Sequence, residues 1–113
     1  MNRIFFAFIL RLSLIFILAS PACAADADYR IAIKDHRFDP AELVVPAGQK
    51  VKIWVENQDA TAEEFESYEL NREKVIAGHG KAAIFIGPLK PGTYKILGEF
   101  NQATAHGVIV VKE

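Results

Sequence analysis

The chain has 113 residues, room for one small domain rather than two. Its formal charge of −1, from 13 basic and 14 acidic side chains, gives no support to the basic face that nucleic-acid binding needs. An apolar fraction of 51% is high for so short a soluble chain, and the excess sits at the N-terminus, where Phe5, Phe6, Phe8 and Phe16 lie among Ile and Leu.

Residues 1–24 read as a secretory signal. Arg3 and Arg11 supply positive charge, residues 12–19 are apolar, and Ala22-Cys23-Ala24 has the small-x-small form of a cleavage site. A membrane anchor over residues 4–19 is the competing reading, but Arg11 interrupts it and the stretch falls short of the roughly 20 residues a span needs. A lipoprotein would acylate Cys23, yet Ser20 stands where an aliphatic residue belongs. The expectation is an exported, soluble domain of residues 25–113. Cys23 is the only cysteine and Met1 the only methionine, so this domain carries no sulfur. Disulfides, thiolate catalysis, iron–sulfur clusters and cysteine-ligated metals are excluded, and any metal must be held by carboxylates, imidazoles, amides or water.

The predicted elements are short strands. Ile31 and Ile33 alternate with polar neighbours over 29–34, and Leu43-Val44-Val45 is a buried-type run ended by Pro46-Ala47-Gly48. Residues 50–56 alternate cleanly, with Val51, Ile53 and Val55 on one face, and predict a central strand. Residues 81–87, 93–97 and 108–111 complete the set, with turns at Gly87-Pro88 and Pro91-Gly92. Short β-type runs without a repeating helix predict an all-β sandwich. Two segments break the rhythm: a long acid-rich loop over 57–80, and a polar loop over 98–107 that carries Glu99, Asn101 and His106. Loops held by a rigid sheet are where binding sites sit.

In the first loop, Glu64-Phe65-Glu66 as extended chain places both carboxylates on one side and Phe65 in the core. Two convergent carboxylates repel, and a hard or borderline cation relieves the repulsion. Thr61 and Glu64 also fit a capping box; a helix there would set Glu64 and Glu66 roughly 200° apart and destroy the pair. His36, between Asp35 and Arg37, reads as solvated turn. His79, in Gly78-His79-Gly80, lies in a turn that presents its imidazole, and His106 ends its loop just before the last strand, a favourable place for a ligand. No nucleophile elbow, phosphate loop or HExxH motif is present, so hydrolase and transferase chemistry is not expected.

Phe38-Asp39-Pro40, residues 43–48 and residues 51–57 resemble the opening of a cupredoxin domain. Glu63-Glu64-Phe65-Glu66-Ser67, residues 70–74, Pro91-Gly92-Thr93-Tyr94, Gly98-Glu99-Phe100 and Thr104-Ala105 are similar to the EfeO-type cupredoxin-like family. Nearest within it are the small periplasmic (FtrB-like) components of bacterial ferrous-iron uptake systems. The resemblance implies a Greek-key β-sandwich in the periplasm that binds copper or iron and assists Fe(II) oxidation or electron transfer for a membrane iron permease. A companion periplasmic iron-binding protein belongs to such systems. By the family pattern Glu64 and Glu66 match the E-x-E ligands and Glu99 the acid of G-E-F. A blue-copper thiolate is missing, and Asn101 stands where relatives carry histidine; His106, or else His79, is the expected imidazole ligand. A non-catalytic metal carrier and a metal-free interaction module are the competing functions.

Overall fold

The computed structural model describes residues 29–113, together with Ile15; the rest of the predicted export signal, Cys23 included, lies outside the described residues. Among the described residues no helix is long and apolar enough to cross a membrane. Strands β1 (Tyr29–Lys34), β2 (Arg37–Asp39), β3 (Glu42–Pro46), β4 (Val51–Asn57) and β5 (Glu63–Ser67) are followed by β6 (Arg72–Ile76), β7 (Lys81–Ile86), β8 (Gly92–Leu97) and β9 (His106–Lys112). A 3-10 turn, Glu99–Asn101, lies between β8 and β9.

Two mixed sheets stack into a sandwich. One has the order β2-β1-β4-β7, with β1 parallel to β4, so residues 50–56 do mark a central strand. The other has the order β3-β9-β8-β5-β6, with β3 parallel to β9. Alternation decides what faces inward. Ile31 and Ile33 of β1, Ile53 and Val55 of β4, Phe65 of β5, Ile96 of β8 and Ile109 of β9 are essentially inaccessible and meet between the layers. Phe65 packs on Phe38 with ring centroids 6.1 Å apart and planes tilted by 56°.

The acid-rich segment 57–80 is not one long loop. It holds the hairpin β5–β6, whose register sets Glu64 opposite Val75 and Glu66 opposite Glu73. The capping-box helix does not form, and residues 64–67 are extended. Strand β6 escapes sequence reading because it is an edge: Arg72, Glu73, Lys74 and Val75 are all exposed, which erases the apolar alternation while discouraging pairing with other chains. Strand β2 is missed because it has only three residues. Its hairpin with β1 turns on Asp35 and His36, both left-handed (φ 52 and 57), the pattern of a two-residue turn that matches the strand twist.

Candidate metal centre

Strand β5 is buried at every position, on both of its faces. Glu63, Phe65 and Ser67 point to the interior; Glu64 and Glu66 point to the outer face of their sheet. The 3-10 turn Glu99–Asn101 packs against β5 and leaves Glu64 only 1% and Glu66 7% exposed. That turn is braced by its own backbone: Gly98 N–H donates to Ala105 O at 2.8 Å, Asn101 N–H to Gly98 O at 3.0 Å, and Ala105 N–H to Asn101 O at 2.8 Å. Gly98 permits the approach, since a Cβ there would stand 2.8 Å from Ala105 Cβ and 3.0 Å from the Glu64 carbonyl oxygen.

Four carboxylates converge. One oxygen each from Glu64, Glu66, Glu73 and Glu99 lie within 4.8 Å of one another. Among the described residues none of the four makes an ion pair. Glu64 Oε1 and Glu66 Oε2 are buried with no hydrogen-bond partner at all. At this spacing two like charges repel by roughly 3 kcal/mol in an effective dielectric of about 20, so the group is unstable as four bare anions. Proton affinity rises accordingly. Burial, with Glu73, Glu66 and Glu99 adding to it, lifts Glu64 from 4.5 to about 7. Burial and the charges of Glu99 and Glu73 raise Glu66 as well.

Glu64, Glu66 and Glu99 of the predicted set are thus brought together, and Glu73 joins them. The two expected histidines are not. Leu97 pairs with Glu66 on one side and His106 on the other, so His106 shares the face but stands two interstrand spacings away, roughly 10 Å, with Leu97 between. His79 caps the turn between β6 and β7, exposed and left-handed (φ 58), its N–H donating to Asp59 O at 2.9 Å.

The imidazole that does meet carboxylates is His36. Its Nδ1 hydrogen-bonds Glu63 Oε1 at 2.5 Å and lies 3.5 Å from Asp59 Oδ2. Asn101 Nδ2 donates to the other Glu63 oxygen at 3.0 Å. Asp59 accepts the N–H groups of Asp35 (2.7 Å) and His36 (3.0 Å), holding the left-handed turn in place. The bond to Glu63 raises the His36 pKa. For Asp59, burial opposes ionisation, but the backbone N–H groups of His36 and Asp35 outweigh it and hold the carboxyl below its usual value. This inner cluster is satisfied within itself, unlike the outer quartet, and it ties β5 to the 3-10 turn. Strand parity was a usable signal for Glu63: a residue two from inward-facing Phe65 faces inward too. His36 had no such signal, since its partner lies far along the chain.

The donor sets decide which ions fit. The quartet offers oxygen only, and among the described residues there is no thiolate or thioether, so a blue-copper centre does not fit. A hard or borderline cation held through oxygen does.

The family model for a cupredoxin-like domain matches residues 7–111. The Rickettsia prowazekii (strain Madrid E) protein RP394, itself uncharacterised, is 45% identical over 86 residues, 76% of this chain and 69% of that protein. Among solved structures, the metal-binding domain of the Cu(I)-exporting P-type ATPase CopA of Streptococcus pneumoniae D39, determined with Cu(I), superposes with a TM-score of 0.68 at 17% identity, covering 76% of this chain and 85% of that one. A purple cupredoxin from Nitrosopumilus maritimus gives 0.59 at 18% identity, covering 75% and 100%. At such identities the likeness is one of fold.

Proposed function

This chain belongs to the cupredoxin-like family, and from that premise we propose that it is a periplasmic copper- or iron-binding protein of ferrous-iron uptake. It assists Fe(II) oxidation or electron transfer for a membrane iron permease, beside a companion periplasmic iron-binding protein. The observation that carries this reading is the pair of buried, unpartnered oxygens, Glu64 Oε1 and Glu66 Oε2, inside a quartet that no basic side chain among the described residues neutralises. Burying two such anions is costly unless a cation meets them.

Iron is the substrate in this reading. Oxygen donors bind the trivalent ion more tightly than the divalent one, so the carboxylates ease the loss of one electron from bound Fe(II) to an external one-electron acceptor. Glu64 and Glu66 supply fixed, water-poor donors, while the 3-10 turn positions Glu99 over them. Copper, if bound, is held by the same oxygens and supplies a one-electron couple without blue-copper colour.

Exposure of Glu73 and Glu99 favours a second reading, a carrier that takes up and releases its ion without turnover, because an ion at the rim exchanges readily. Titration of Cu(II) and Fe(II) into the protein and into Glu66→Gln, with Fe(II) oxidation followed in parallel, tests both. Stoichiometric binding lost in the variant supports the site; multiple-turnover oxidation separates oxidase from carrier. Affinity and oxidation unchanged in Glu66→Gln would place the function elsewhere.

A further inference from the structure

Glu73 stands apart from its companions. It comes from an edge strand, it lies outside the Glu64-Phe65-Glu66 run, and the hairpin register sets it directly opposite Glu66. Like charges paired across a sheet weaken the pairing. Its neighbours on β6 do not answer it. The Arg72 guanidinium is committed to carbonyl oxygens, donating to Phe85 at 2.8 Å, Asn71 at 3.0 Å and Leu70 at 3.4 Å. Lys74 is paired with Phe65 in the register, on the opposite face of the strand, and makes no ion pair among the described residues. An uncompensated Glu–Glu pair beside two buried orphan oxygens is an arrangement that a cation stabilises.

We infer that Glu73 is the fourth ligand of the carboxylate centre, and that its charge makes the centre prefer a trivalent, oxygen-seeking cation over a divalent one. This rests on the reading of the quartet as a metal site and adds to it a ligand and a selectivity. The physical basis is Coulombic. Each carboxylate contributes attraction in proportion to the charge of the ion, so deleting one costs a trivalent ion about 1.5 times as much binding free energy as a divalent ion of similar size. If Ca(II) affinity falls about tenfold on removing the Glu73 charge, Tb(III) affinity falls about thirtyfold. The two ions are similar in size and neither changes oxidation state, so the comparison isolates charge from redox chemistry.

The test titrates Tb(III) and Ca(II) separately into the protein, Glu73→Gln and Glu73→Asp, by calorimetry. Tb(III) emission excited through Tyr68, an exposed phenol two residues along the chain from Glu66, gives a second readout. Glu73→Gln is expected to lose more Tb(III) than Ca(II) affinity, in the proportion above. Glu73→Asp keeps the charge and should retain the trivalent preference, while Glu42→Gln, an exposed acid on β3, should change neither. Equal losses for the two ions, or none, would overturn the assignment of Glu73 while leaving the metal reading intact. Failure of the unaltered protein to bind either ion, or Cu(II) and Fe(II), would overturn both.

Discussion

In the metal-free protein, stability should fall as pH rises from about 5 to about 8, and Glu64 should set most of that slope. Its carboxyl has a value of about 7 in the folded protein against 4.5 ordinarily, chiefly because it is buried. Between those values the native state holds a proton that the unfolded chain has released, so raising pH favours unfolding. At 1.36 kcal/mol per unit, the gap amounts to roughly 3 kcal/mol once pH exceeds the folded value. For a domain of this size that corresponds to a melting temperature lower by about 12–24 °C. His36 adds to the same trend: its raised pKa gives stability complete below 6.5 and lost as pH climbs through the folded value. Thermal melts in chelator at pH 5, 6, 7 and 8, on the protein, Glu64→Gln and His36→Gln, separate the two. Glu64→Gln should flatten most of the slope, and His36→Gln a smaller part. A stability that is level or rising across this range, or a slope left undiminished in Glu64→Gln, refutes the account of the quartet as strained carboxylates, since only the smaller parts due to His36 and Glu66 should remain in that variant.

The remaining predictions concern packing and ligation. Phe65→Ala removes a ring with no exposed surface that packs on Phe38, and should cost about 3–5 kcal/mol, seen as a lower denaturant midpoint at unchanged slope. Gly98→Ala puts a methyl 2.8 Å from Ala105 Cβ and 3.0 Å from Glu64 O, so it should cost about 1–3 kcal/mol and weaken metal binding by displacing Glu99. Asn101→Leu leaves one oxygen of buried Glu63 without its donor and should cost about 1–3 kcal/mol by the same melts, with the His36 contact retained. Saturating metal at about 100 times its dissociation constant should raise stability by about 2.7 kcal/mol, and chelator should reverse it.

Much of this molecule was legible in the order of its residues. Alternation in Ile31/Ile33 and Val51/Ile53/Val55 locates β1 and β4, because one buried face repeats every second residue. The same periodicity puts Glu64 and Glu66 together and Phe65 opposite them. Strand β6 was not legible, since an exposed edge carries no apolar signal. Nor was the fate of the histidines: His106 and His79 lie suitably in sequence, yet pairing sets Leu97 between Glu66 and His106, while a two-residue turn delivers His36 to Glu63. Period-two alternation is local and survives in the sequence. Register and sheet order join residues far apart in the chain, so only the tertiary structure decided that Glu73 faces Glu66, that Glu99 closes over β5, and that the converging side chains are four carboxylates without an imidazole.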